Sequence, residues 1–239
     1  MFFKPDKERG FAYTTHTACD SNGMVIGFEL TPGNIHDVNM LFPLVDSISD
    51  KIEKPEIVVV DAGYKSAAVA HVMEEKEIQL VIPYRNNNKT KSKFRKSSFK
   101  YDPEENTYIC PMNEIMKPTT VDKDGQVTYR CARGTCKKCE KKTDCFTESY
   151  ASKQIQRHIW ESAVERADRY RRTPEGKIYY SGRKETIERV FADGKEQHAM
   201  RYTRLRGIEK VTDEVYLIFA CMNLKKMISK LKKEEVNAA

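Results

Sequence analysis

The run Ile57-Val58-Val59-Val60 most limits what this chain can become. It has no polar face, so as a strand it asks to be covered on both sides of a sheet. Asp61 ends the run, and Ala62-Gly63-Tyr64-Lys65 follow it. Ser66 is placed to cap a helix reaching about Glu75. A second apolar run, Ile78, Leu80, Val81 and Ile82, comes next. Strand, helix, strand in that order implies a parallel crossover and an α/β fold.

The flanking sequence extends this frame. Phe11 to Cys19 alternates in the manner of a strand, with Phe11, Tyr13, Thr15 and Thr17 on one side. Asp20-Ser21-Asn22-Gly23 make a turn, and Met24 to Leu30 return as the second strand of a hairpin. A helix from about Asp37 to Ser49 sets Leu41, Leu44, Val45 and Ile48 on one face, with Asp37 its simplest N-cap. Arg85 to Lys100 reads as a polar linker, and residues 101 to 147 as irregular and short-stranded. Helical texture returns at Gln154 to Tyr170, and a second helix is expected over Lys177 to His198. A last helix, Asp213 to Leu231, is nearly apolar all round at first and should be buried.

Charge is unevenly placed. The chain carries +7 overall, and residues 85 to 145 hold 15 Lys and Arg against 8 Asp and Glu, a difference of +7. A basic segment suits a polyanion through counterion release, or it is simply a solvated insertion. No apolar stretch is long enough to span a bilayer, and the first residues do not resemble a signal peptide. A cytoplasmic protein without a membrane partner is the expectation.

Five of the seven cysteines lie between Cys110 and Cys145. Without a secretion signal, metal binding is the better reading of such a cluster than disulfides. Cys136-x2-Cys139-x5-Cys145 supplies three thiolates and Cys110 a fourth, enough for a closed structural Zn²⁺ site, while Cys131 competes for a position. Lys137, Lys138, Lys141 and Lys142 should favour the thiolate forms. The bland reading is a set of free thiols in an ill-ordered insertion.

Two acids stand out. Asp61 sits at the carboxyl end of a strand, where α/β sheets gather reactive groups, although an Asp there also serves as a turn cap. Glu188 falls between Lys184 and Lys195. On one continuous helix these three project along nearly one line, as a metal ligand between phosphate contacts or as a surface salt-bridge row. His16 and His71 read as packing or surface residues, and His198, between Lys195 and Arg201, reads as a residue that could approach DNA or a scissile phosphate.

Tyr180, Lys184, Glu188 and Lys195 resemble the Tyr–Arg–Glu–Lys signature of bacterial insertion-sequence DDE transposases. Lys184 stands where Arg is usual, and Tyr180 is one residue out of register. Val60-Asp61-Ala62-Gly63-Tyr64 resembles the second acid motif of that family. Thr31-Pro32-Gly33-Asn34-Ile35-His36-Asp37 resembles the exit of its early strands, and Arg201-Tyr202-Thr203-Arg204-Leu205-Arg206-Gly207 its C-terminal end. The cysteine-rich insertion is similar to that of one subgroup.

The resemblance implies a ribonuclease-H-like mixed sheet with flanking helices and a cysteine-rich insertion. Residues 1–84 would be the first part of the DDE domain, 85–150 the basic insertion and 151–239 the helical remainder. It implies metal-dependent cleavage and transfer of DNA strands at insertion-sequence ends. Three carboxylates would hold two Mg²⁺ (or Mn²⁺) ions, Asp61 and Glu188 among them. Lys184, Lys195, Arg201, Arg204 and Arg206 would contact DNA, meaning terminal inverted repeats and target. Partners would be a second copy or a full-length transposase, in a nucleoid-associated setting. The family's first acid lies on a strand before the hairpin, and neither Asp6 nor Asp20 replaces it. The chain is therefore expected to be N-terminally truncated and inactive alone. The competing readings are a non-catalytic DNA-binding or regulatory remnant, a zinc-stapled interaction module, and a hydrolytic nuclease on the same fold.

Overall fold

A computed structural model describes residues 2–3, 9–10, 12–83, 92–146 and 152–238. Asp6, Phe11 and the first part of the expected linker lie outside the described residues. The chain forms two compact units, residues 1–83 with 167–239 and residues 84–166.

The first unit begins with a short antiparallel pair, β1 (Phe2–Phe3) and β2 (Arg9–Gly10). Then comes the hairpin of β3 (Tyr13–Cys19) and β4 (Val25–Pro32), in register from Tyr13 opposite Pro32 to Cys19 opposite Val25. Its turn is held by Asp20, whose carboxylate accepts from the Asn22 and Met24 amides. Gly23 takes the left-handed conformation that such a turn needs (φ +74°). Helix α1 (Val38–Lys51) buries Leu41, Leu44, Val45 and Ile48, the face expected from the sequence. Gly27 lets it approach β4, since a Cβ there would lie 3.1 Å from Ile48 Cγ1.

The crossover is present. β5 (Ile57–Val59) pairs in parallel with β6 (Gln79–Val81) through α2 (Ala67–Glu75), and Ser66 Oγ accepts from the Val69 amide at 3.1 Å. Burial differs from the expectation. Val60, Leu80, Val81 and Ile82 are buried, but Ile57–Val59 are only half-buried. Among the described residues β5 has one partner strand, so its other edge is unpaired. The expected continuous mixed sheet is therefore not formed among these residues. What is present is a mixed α/β unit built on separate two-stranded pairs.

The second unit is more ordered than its sequence suggested. Strands β7 (Lys100–Asp102), β8 (Thr107–Ile109), β9 (Ile115–Val121), β10 (Gln126–Cys131) and β11 (Gln154–His158) form one antiparallel sheet, in the order β11-β10-β9-β8-β7. Gln154–His158 was expected to be helical. It is a strand because Ile155 and Arg157 alternate inward, a period of two. This strand carries the cysteine-bearing unit past residue 150, where the sequence had placed its end. Phe99, Tyr108, Met116, Val127, Tyr129 and Ile155 make the core. Helix α3 (Lys142–Cys145) is a single turn, and α4 (Glu161–Arg172) leads out of the unit.

The expected helix over Lys177–His198 is two helices, α5 (Pro174–Gly182) and α6 (Ile187–Gln197), separated by residues 183–186. Thr173 caps α5 by accepting from the Gly176 amide. Gly182, a poor helix former, closes it. Helix α7 (Ile208–Ala238) is longer than expected. Its Val211, Val215, Phe219 and Met222 pack with Leu30 of β4 and Val190 of α6. Asn223 ties it to the hairpin, accepting from the Val25 amide at 2.9 Å and donating to the Val25 carbonyl at 2.8 Å. The expectation of full burial fails, because only this inner face is covered. No helix among the described residues is long and apolar enough to cross a membrane.

Candidate functional site

Asp61 leaves β5 and begins a 3₁₀ turn over Ala62–Tyr64, where its carboxylate accepts from the Ala62 amide. The cap and the strand-end position thus belong to the same residue. Glu188 lies in the first turn of α6, where a carboxylate is favoured by the helix dipole. Far apart in sequence, the two acids meet through one side chain. Arg183 Nη1 lies 3.7 Å from Asp61 Oδ1, and Nη2 lies 3.8 Å from Glu188 Oε1. The guanidinium is only 15% exposed, whereas the carboxylates are 64% and 52% exposed. A half-sheltered cation therefore sits between two acids that both reach solvent.

Arg183 is the residue that sequence reasoning missed. Its signal was present: Tyr180-Ser181-Gly182-Arg183 keeps the spacing from the tyrosine to the basic residue of the signature. One extra residue then separates Arg183 from Glu188. The break between α5 and α6 absorbs that residue. Tyr180 Oη stands 3.3 Å from Arg183 Nη1, and the Tyr180 ring also lies 4.0 Å from the Arg171 guanidinium. Lys184 was expected on one helical line with Glu188, but it lies in the break, exposed, with its amide donating to Ser181. The line therefore holds only for Glu188 and Lys195, both on α6.

A further carboxylate, Asp37 at the start of α1, stands beside the turn that Asp61 begins. Asp37 makes no helix-capping bond, contrary to the expectation. Its Oδ1 is 3.6 Å from Nδ1 of buried His16, and its Oδ2 is 3.3 Å from where a Cβ on Gly63 would stand. His16 Nε2 bonds to Thr31 Oγ1 at 2.8 Å, which leaves Nδ1 without a hydrogen bond. Burial lowers the His16 pKa, against the pull of Asp37 and Glu29. The Tyr64 hydroxyl is pushed up to about 12, chiefly by burial, with Asp37 and Asp61 adding to it.

The expected DNA contacts are exposed. Lys195 lies on the outer side of α6, Arg201 pairs with Glu196, and Arg204 and Arg206 stand on the loop before α7. A groove of about 730 Å³ also runs beside α6 and α7. Arg189, His198, Lys225, Lys226, Lys230 and Lys233 line it, together with Asp20, Glu185 and Asp193.

In the second unit, Cys110, Cys131, Cys136, Cys139 and Cys145 all line one cavity of about 40 Å³. The Met112 amide donates to Cys110 Sγ at 3.3 Å. Burial raises the Cys131 thiol to about 12, with Cys136 and Cys110 adding to the effect. It raises Cys145 as well, outweighing Lys153. The expected lysine-driven lowering is therefore reversed at these two thiols. Among the described residues no three His, Cys, Asp or Glu side chains form a ready group for a metal ion.

A model of the transposase DDE domain matches residues 109–228, about half of the chain, and a second such model matches residues 8–102. The chain belongs to the transposase DDE domain family. A putative transposase for insertion sequence element IS402 from Burkholderia cepacia is 31% identical over 77 residues, which is 29% of this chain and 36% of that protein. The chain thus matches about a third of that relative's length. No solved structure matches. DDE transposases generally use divalent metals.

Proposed function

We propose that this chain is the acid-bearing part of an insertion-sequence transposase, acting on the phosphodiester backbone of DNA ends and target. The convergence of Asp61 and Glu188 on Arg183 carries this reading. Two hard carboxylates, both open to solvent and already sharing a cation, suit Mg²⁺ or Mn²⁺. When bound, such ions activate an attacking oxygen and stabilise the leaving one. Asp61 would hold its ligand oxygen at a fixed strand end, and Glu188 would face it from the start of α6. Arg183 would keep the two acids from repelling one another before the metal arrives. Lys184, Lys195, Arg201, Arg204 and Arg206 would meet phosphates and fix the DNA register without reading its sequence.

Asp37 is turned toward His16, so the shared site has two carboxylates where the family's chemistry asks for three. The chain alone would bind DNA without strand transfer, in a cytoplasmic, nucleoid-associated setting, and would pair with a second copy or a full-length transposase. The cysteine cavity supports a structural Zn²⁺ held by four of its five thiols. Residues 132–146 contain almost no aliphatic side chains with which to fold otherwise.

The test is Mn²⁺ binding to the purified chain, followed by titration calorimetry, with DNA binding measured in parallel. Asp61→Asn and Glu188→Gln should each abolish metal binding and spare DNA binding. Unchanged metal affinity in both variants would remove the acid site, and Mg²⁺-dependent nicking of inverted-repeat DNA by the chain alone would remove its inactivity.

A further inference from the structure

Helix α7 is apolar on two opposite faces. The inner one, Val211, Val215, Phe219 and Met222, belongs to the core. The outer one is exposed and regular: Leu217, Cys221, Leu224, Ile228 and Leu231 alternate spacings of four and three residues. Leu217 is 68% exposed, Leu224 53%, Ile228 50% and Leu231 52%. Leucine recurs every seventh residue, with Cys221 and Ile228 between, which is the heptad seam of a coiled coil. We infer that this outer face is an interface between two copies of the chain, with the α7 helices side by side and parallel.

The seam explains why a helix already anchored on its own core carries a second apolar stripe. It extends roughly 21 Å at 1.5 Å per residue. Counting Met227 and Ala220 at its margin, one helix offers on the order of 500 Å² of apolar surface, in the range of the largest patches found on monomers. Two copies face to face bury on the order of 1,000 Å², the threshold for a specific interface. With Leu217, Leu224 and Leu231 in the d positions and Ile228 in an a position, the pattern favours two strands. Charge selects the direction. Lys225 and Lys232 flank one margin, Ala220 and Met227 the other. In parallel pairing the Lys232 stem lies over the neighbour's Met227 with its ammonium in water, while Lys225 donates to Gln197 of its own chain. Antiparallel pairing sets lysine margin against lysine margin. Glu214 and Glu235, on the same line, give the seam charged ends.

This inference rests on α7 alone and not on the acid site, so either can fail without the other. The test is sedimentation of the full chain from low to high micromolar concentration. A dimer is expected, and Leu224→Lys should weaken it by at least about 30-fold per copy, as for a central interface residue. Helicity should be unchanged, because Leu224 faces solvent in the single chain, and the thermal midpoints should coincide at dilutions where both proteins are monomers. Cys221 gives a second readout. In a parallel seam the two Cys221 residues face each other, so mild copper-phenanthroline oxidation should link the chains, and Cys221→Ser should prevent it. A monomer at every concentration, or a dimer that Leu224→Lys leaves intact, overturns the interface. A dimer that Cys221 cannot cross-link overturns the parallel seam.

Discussion

The two units treat charge in opposite ways. In the first, Asp61 and Glu188 are more than half exposed and meet Arg183 only at 3.7 and 3.8 Å. In the second, Arg157 is 5% exposed, stacks 3.8 Å from the Tyr101 ring, and takes Glu165 through its two terminal nitrogens, Nη1 and Nη2, at 2.5 and 2.9 Å. Burial works against the Arg157 charge, yet the bonds to Glu165 and Tyr108 raise its pKa. A loose pair of acids around a cation can exchange partners, as the proposed metal and DNA site requires. A tight ion pair whose cation is buried cannot, and it serves the fold. The geometry of a charge thus separates its two uses where composition does not.

The largest effect should come from the cysteine cavity. If four thiols hold Zn²⁺, chelation or the pair Cys136→Ser with Cys139→Ser removes about 10–16 kcal/mol of apparent binding energy. The second unit should then lose its cooperative melt while the first keeps its own. A native chain with no zinc by elemental analysis would place this unit's stability in its tyrosine core alone. Next, Glu165→Gln leaves the Arg157 charge buried with half its partner. Since Glu165 itself is half exposed, a loss of about 2 kcal/mol is expected, below the usual cost of breaking a fully buried pair. A change within error in the denaturant midpoint would remove the contrast drawn between the units.

Smaller effects belong to the first unit. Arg183→Gln should cost about 1 kcal/mol or less without metal, since its partners are solvated. It leaves the acids facing each other, so Mg²⁺ should raise the melting temperature of the variant more than that of the native chain. An equal or smaller rise would show that Arg183 works with the metal instead of standing in for it. The smallest effect concerns pH. Burial lowers the folded-state pKa of His16, so the unfolded chain takes up the proton first. The stabilisation is present above the unfolded value of about 6.5 and is lost as pH falls through the lower folded one. The first unit should weaken on acidification below that value, and His16→Gln should flatten the slope in a melt series.

Much of the local structure was legible in the residues. Ser66 announced its helix, the apolar runs around Asp61 their parallel crossover, and the stripe from Leu41 to Ile48 its buried face. These depend on contacts within a few residues, where backbone geometry and side-chain period decide. Gln154–His158 shows the limit. Its helical reading failed because Gln and Arg suit a helix, while pairing with β10 and a pocket for Arg157 made it a strand. Tertiary context overrode propensity.

The acids, the cysteines and their neighbourhoods could be read from the residues directly, because residue chemistry is local. Only the folded chain decided that Arg183 and not Lys184 lies between Asp61 and Glu188, since the break after Gly182 turns one continuous helix into two. It likewise decided that α7 buries one apolar face and presents the other. Apolar spacing fixes which residues share a face, but which face is covered depends on partners that lie far away in the chain.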